Sequence, residues 1–481
     1  MRIIADFHIH SPYSRATSAK LTLPYLDYWA RIKGLDVVGT GDCTHPAWLK
    51  ELRDGLEDAE AGLYTLRDSV LPAPCGRDAA PRFVLTGEVS TIYKKGDKTR
   101  KVHHLVILPD FAAAATFQRK LERLGTIESD GRPILGLDSR DLFAVLLDSD
   151  ERSLLIPAHI WTPWFSALGA KSGFDSIEEC YGDLAPRILA VETGLSSNPP
   201  MNWALSALDR FAIISNSDAH SPEKLGREAT LFDLDAPLSL PVLAAALDLA
   251  RRDGPARVAG TIEFFPQEGK YHYDGHRACR VCLTPEEARE AKNICPVCRK
   301  PLTQGVMTRV LELADRPVDE NAPYTPGDCG GNQRPYVSLI PLKELTAEIL
   351  GVGVASKRVE AAYTALVQQE PEISLLMDAP LKAVERLKAQ GVSGELLAMT
   401  IGRMREGEVA ITPGYDGEYG IIRAAPPALL RAGKVPETRG AVPLFPAFSL
   451  KDGKEREACA ARETVVEAEK TKKNGKRRRG V

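Results

Sequence analysis

Two histidines one residue apart, His8 and His10, follow the apolar run of Ile3, Ile4, Ala5 and Phe7 at the start of this 481-residue chain. Alternate side chains of a pleated strand share a face, so both imidazoles project the same way and make half of a metal site. Further short apolar runs each lead to an ionisable group. Residues 36–41 precede Asp42 and His45, 82–86 precede Glu88, 153–157 precede His159, 188–191 precede Glu192, and 211–215 precede Asp218 and His220. His103 and His104 instead open the run 105–108. Histidine and carboxylate without a central thiolate suit zinc, manganese or iron, and several together suit a multinuclear site. Ions held close together generate hydroxide at neutral pH and neutralise charge on a phosphoryl group, so hydrolysis of a phosphate ester is implied.

The elements that must position these groups alternate strand-like and helix-like runs through residue 240 or so, the pattern of a parallel α/β unit. Helices are expected over 23–33, 47–60, 111–124, 139–147 and 202–209, with 241–252 closing the unit. Catalytic groups of parallel barrels sit at the C-terminal ends of strands, where most of these ligands fall. Two insertions interrupt the alternation: 64–81, and an aromatic loop over 161–181 containing Trp161, Trp164, Phe165 and Phe174. Loops of that length at the ligand end are where substrate is selected.

Beyond residue 255 the texture changes. Cys279 and Cys282 are separated by twelve residues from Cys295 and Cys298, and two such CxxC turns suit a tetrahedral structural zinc ion. Residues 315–335 read as loop, and 341–405 carry helical periodicity. Between the first helices, Gly351, Gly353 and Lys357 suit either a phosphate cradle at a helix start or a plain turn. The last dozen residues hold Lys470, Lys472, Lys473, Lys476, Arg477, Arg478 and Arg479, a run that attracts nucleic acid or is simply solvated.

A chain of this length exceeds one ordinary core, so two to four domains are expected. With 26% charged residues, no apolar run long enough for a bilayer and no basic-then-apolar leader, a cytoplasmic protein that does not engage membranes is expected. Nine cysteines, four of them clustered, fit metal binding in a reducing compartment better than a disulfide framework.

The successive motifs Asp6-Phe-His8-Ile-His10-Ser11, Asp42-x-x-His45, Gly87-Glu88, His104, Pro157-Ala-His159 and Ser217-Asp218-Ala-His220 resemble those of the polymerase and histidinol phosphatase (PHP) superfamily. The resemblance implies an α/β fold, a distorted (β/α)7 barrel, with metal at its mouth. It implies that His8, His10, Glu88 and Asp218 surround one ion, that Glu88 bridges to a second held by His104 and His159, and that Asp42, His45 and His220 serve a third. Asp218, His8 and Glu88 are then the catalytic set. The ions would be Zn2+, Mn2+ or Mg2+, two or three in number. The histidine that many superfamily members place shortly after the opening motif is replaced here by Ser11, Ser14 and Arg15.

The whole layout is similar to the endonuclease Q family, including the stretch Gly173-Phe-Asp-Ser-Ile-Glu-Glu-Cys180. That similarity implies a catalytic barrel over 1–255, a four-cysteine zinc module with its loop over 256–338, a helical DNA-binding domain over 339–425 and a disordered basic tail over 426–481. It implies a DNA repair endonuclease that cuts double-stranded DNA on the 5′ side of hypoxanthine, uracil, xanthine or an abasic site. The alternatives are a histidinol-phosphatase-like phosphomonoesterase and a non-enzymatic DNA-binding protein. A deaminated base must leave the stack to be inspected. Trp161, Trp164, Phe165 and Phe174 could wall a pocket for it, with Ser172 and the amides around Gly173 reading the base, or they could pack the loop onto the barrel. Ala441, Val442, Pro443, Leu444 and Phe445 resemble a short sliding-clamp-binding peptide.

Overall fold

The computed structural model describes residues 1–68, 71, 80–251, 254–322 and 332–426. The basic run and the clamp-like segment 441–445 lie outside the described residues. The opening strand Arg2–Asp6 pairs in parallel with Val37–Gly39, which pairs in parallel with Arg82–Lys95. The helices Leu23–Lys33 and Pro46–Gly55 make the crossovers and cover one face. This much follows the expected alternation.

The rest departs from it. Arg82–Lys95 runs on past Glu88 and turns back as Lys98–Leu108, an antiparallel hairpin. Its two-residue turn is Gly96-Asp97, with Gly96 at φ +62°. A tight hairpin needs positive φ at such a position, which glycine adopts without strain. Leu154–Pro157 pairs antiparallel with Lys98–Leu108. On the other flank Ala229–Leu234 and Ala256–Glu263 add antiparallel strands, and Tyr336–Ser338 closes the edge in parallel. Together with the short strands Leu56–Asp58, Tyr64–Leu66 and Ile134–Leu135, these form one eleven-stranded mixed sheet among the described residues, while Ala190–Glu192 and Ala212–Ile214 form a separate parallel ladder. Uniform βαβα order therefore gives way to a mixed α/β fold.

Strand alternation divides the core in two. Ala5, Phe7, Val37, Val84, Leu105, Ile107, Ile156, Ala212 and Phe232 pack together on one side. Val38, Leu85, Val106 and Leu108 face the other way, against Leu26, Ala30, Leu49, Phe117 and Phe143 of the helices.

After the sheet, the hairpin Asp274–His276 with Val281–Leu283 leads to the short helix Pro285–Glu290, started by a Thr284–Glu287 capping box. The helices Leu342–Leu350, Lys357–Val367 and Gly394–Arg405 follow. They are tied to the first crossover helix by Lys33, whose Nζ lies 2.5 Å from Glu372 Oε2. A last hairpin, Ala410–Thr412 with Ile421–Arg423, returns to the Cys-rich segment: Tyr273 N donates to Gly414 O and Arg277 N to Asp416 Oδ2. Among the described residues no helix is long and apolar enough to cross a membrane.

Candidate metal centre

The loops that leave the strands bring the predicted ligands together. His10 N donates to Ala219 O at 3.1 Å, which joins the opening motif to the Asp218 loop. Asp42, His159 and Asp218 all have positive φ, at 45°, 29° and 47°. Such strain in non-glycine residues persists only where the surroundings fix it, and here it clusters on ligand-bearing loops.

Three donor groups form, each with its atoms within 4.8 Å of one another: His8, His10 and Glu88; His10, Asp218 and His220; and Glu88, His103 and His159. Glu88 is fully buried. Its Oε1 lies 2.5 Å from His103 Nδ1, 3.2 Å from His159 Nε2 and 3.7 Å from His8 Nε2. His10 Nε2 is 3.0 Å from Asp218 Oδ1.

Buried carboxylates hold the imidazoles from behind. His8 Nδ1 donates to Glu192 at 3.0 Å, and the same carboxylate accepts from the His159 amide and from Asn216. His10 Nδ1 donates to Asp42 Oδ1 at 3.2 Å. A proton fixed on Nδ1 leaves the Nε2 lone pair facing inward, the arrangement that orients metal-binding histidines. His8 Nε2 is buried and makes no hydrogen bond among the described residues, so the donor set fits a divalent ion. Burial alone would raise the carboxyl of Glu88, yet His103 and Arg132 hold it well below the usual carboxylate range. Asp218 is likewise lowered against its burial, by His10 and His8. Both carboxylates are thus ionised at neutral pH, paired with protonated His8 and His10, and a bound ion would take the place of the Nε2 protons.

Two expectations are corrected here. His103, not His104, faces the centre. Leu105 stands opposite Glu88 in the hairpin, so its alternate neighbour His103 shares that face. His104 points to the helix side, with Nδ1 2.7 Å from the Tyr181 hydroxyl and Nε2 3.0 Å from Thr91 Oγ1. Asp42 and His45 also lie outside the three groups. Asp42 accepts from His10, Ser11 and Ser14, while His45 caps the helix Pro46–Gly55 and donates through Nε2 to Glu128 O. Sequence reasoning missed Arg132, whose Nη1 donates to Glu88 Oε2 at 3.0 Å. It comes from an irregular loop that carries no apolar run.

A family model described as the MJ0043 C-terminal domain matches residues 341–408. Uncharacterized protein MJ0043 of Methanocaldococcus jannaschii is 28% identical over 300 residues, 61% of this chain but only 35% of that protein, so the chain spans about a third of its length. Uncharacterized protein YqxK of Bacillus subtilis is 29% identical over 88% of this chain and 99% of its own length. The crystal structure of the lesion-specific endonuclease PfuEndoQ from Pyrococcus furiosus is 31% identical, with a TM-score of 0.74 over 90% of this chain and 99% of that one. The chain belongs to the endonuclease Q family. A structure of endonuclease Q with a 27-mer duplex carrying an abasic lesion at the active site matches equally well, at 32% identity and a TM-score of 0.74, over 90% of this chain and 98% of that one.

This endonuclease Q family member also differs from expectation in its Cys-rich segment. The donor group there is His276, Cys279, Cys295 and Cys298, with His276 Nδ1 3.6 Å from Cys298 Sγ. Cys282, opposite Gly275 in the hairpin, lies outside it. The group suits a closed tetrahedral ion. Burial, followed by the crowding of Cys298 and Cys295, pushes the Cys279 thiol up.

The aromatic loop splits in the same way. Trp161 and Phe174 are buried in the core, Trp161 donating to Asn202 Oδ1 and Phe174 lying under the Arg100 guanidinium. Ser172 Oγ accepts from Phe165 N and donates to Lys101 O, and Gly173 N donates to Gly169 O. Neither is free to read a base as it stands. Phe165 instead lies 4.7 Å from the His103 ring, and Trp164 is 40% exposed. Gly351 ends the helix Leu342–Leu350 at φ +62°, Gly353 has open space around it, and Lys357 starts the next helix, exposed.

Proposed function

We propose that this chain is a metal-dependent DNA repair endonuclease, hydrolysing the phosphodiester bond on the 5′ side of a deaminated base or an abasic site. The observation that carries the reading is Glu88, buried and common to two donor groups, in a chain alike over nine-tenths of its length to a lesion-specific endonuclease. The likeness to a complex with a duplex bearing an abasic lesion supports DNA as the substrate.

His8, His10, Glu88 and Asp218 would hold one ion, and Glu88, His103 and His159 another. Bound divalent ions supply a hydroxide nucleophile at neutral pH and neutralise charge on the phosphoryl group. Glu192 and Asp42 keep the His8 and His10 lone pairs inward, and the buried surroundings exclude competing water. His276, Cys279, Cys295 and Cys298 would hold a structural zinc ion. With the barrel of 1–255 as catalyst, the module and the helices of 339–425 serve as the DNA clamp, and Gly351, Gly353 and Lys357 contact a backbone phosphate. Phe165, against the His103 ring, offers a flat face beside the centre on which an extruded base stacks, and the exposed Trp164 offers a second on the same loop.

Incubating the zinc- or manganese-loaded protein with labelled duplexes, each carrying one altered base, alongside a phosphomonoester, tests this reading. A single nick 5′ of the altered base is expected. Release of phosphate from the monoester without nicking would replace the reading with that of a phosphatase.

A further inference from the structure

Three donor groups do not make three ion sites. An imidazole nitrogen carries one lone pair, so His10 Nε2 serves either the group with Glu88 or the group with Asp218 and His220. The other groups that could complete a third site are engaged. Asp42 Oδ2 accepts from Ser11 N at 2.7 Å, Ser11 Oγ at 2.6 Å and Ser14 Oγ at 2.8 Å, and its Oδ1 accepts from His10. His45 is held through both ring nitrogens. Asp218 and His220 are what remains.

Arg132 stands over that gap. The loop carrying it is fixed at several points: Asp130 accepts from Arg15 N and Arg132 N, Gly131 N donates to Tyr13 O, and Ser90 N donates to Pro133 O. Gly131 passes so close to Asp42 that a Cβ would lie 2.3 Å from its Oδ2, so the loop seals Asp42 and brings Arg132 to the mouth. The guanidinium is close enough to Asp218, His220 and His103 for its charge to act on each, besides its bond to Glu88. Nε and Nη2 make no hydrogen bond among the described residues, and the side chain is 24% exposed. A fixed cation with free forked donors at the rim of an anionic donor cluster is a phosphate-binding group.

Resting on the nuclease reading, we infer that this centre holds two ions and that Arg132 takes the place of a third cation, binding a non-bridging oxygen of the scissile phosphate. Were Glu88 to hold an ion, the Arg132 Nη1 that now donates to its Oε2 would be released to join Nε and Nη2 as donors for the phosphate.

Two measurements test this without cleavage. Anomalous scattering from crystals of the zinc-loaded protein should show two ions among His8, His10, Glu88, His103, His159 and Asp218. A third beside Asp218 and His220 would overturn the proposal. Calorimetric titration of the zinc-loaded protein with inorganic phosphate should show binding about tenfold weaker in Arg132→Gln, close to wild type in Arg132→Lys, and unchanged zinc content in both. Unaltered phosphate affinity in Arg132→Gln, or loss of zinc, would make Arg132 a mere prop for Glu88. A chain that binds phosphate through Arg132 yet nicks no altered duplex would retain this assignment and remove the nuclease reading.

Discussion

The two donor clusters are assembled by opposite means. In the histidine–carboxylate centre the imidazoles are held by buried carboxylates, Glu192 behind His8 and Asp42 behind His10, and the strands beneath them belong to an extended buried core. In the Cys-rich module the backing core is four residues, Val281, Ala288, Cys295 and Leu302, and three of its four cysteines are half-buried. The histidine–carboxylate centre is organised by the fold and would receive its ions. The module gathers thiols that repel one another once ionised, so its ion would organise the fold.

The largest effect that would sharpen this contrast is in the histidine–carboxylate centre. Asp218→Asn should abolish nicking, by roughly a thousandfold or more, with duplex affinity and melting temperature nearly unchanged. Normal cutting by that variant would show that the centre does not act.

Chelation should then separate the two regions. Hydrogen exchange after metal removal should find the amides of 274–302 unprotected, a loss of several kcal/mol locally, while Arg82–Lys95 and Lys98–Leu108 stay protected. Equal deprotection of both would break the comparison.

A smaller change is expected for Glu192→Gln, which keeps the shape of the side chain but weakens the hold on His8. Metal affinity of the centre, followed by competition with a coloured chelator, should fall by about 10–100-fold.

The smallest effect distinguishes the module's cysteines. Cys282→Ser should retain the bound zinc and change stability by less than about 0.5 kcal/mol, whereas Cys279→Ser should lose the ion. Loss of zinc from both variants would restore Cys282 as a ligand.

Much of the centre was legible because apolar runs point at it. His8, His10, Glu88, His159, Asp218 and His220 each follow or end such a run, and all six join a donor group. The choice between His103 and His104 was not legible, since Leu105 and Ile107 on one face and Val106 and Leu108 on the other are equally apolar and equally buried. A strand buried on both sides erases its own alternation. His276 was hidden by symmetry: His276 precedes Cys279 by three residues, just as Cys279 precedes Cys282, so spacing alone admits either set. The Gly96-Asp97 turn between β-branched stretches did signal a hairpin, and a parallel pattern read too uniformly passed over it.

The parallel edge strand Tyr336–Ser338 carries a consequence for how the chain is made. Its partner Ala256–Glu263 emerges from the ribosome long before it, and until residue 336 follows, that strand presents unpaired amides and carbonyls to any neighbouring nascent chain. A fragment cut before residue 336 would keep that border permanently uncovered. Truncations ending before residue 336 should therefore aggregate, and those ending after Ser338 should stay dispersed at the same concentration.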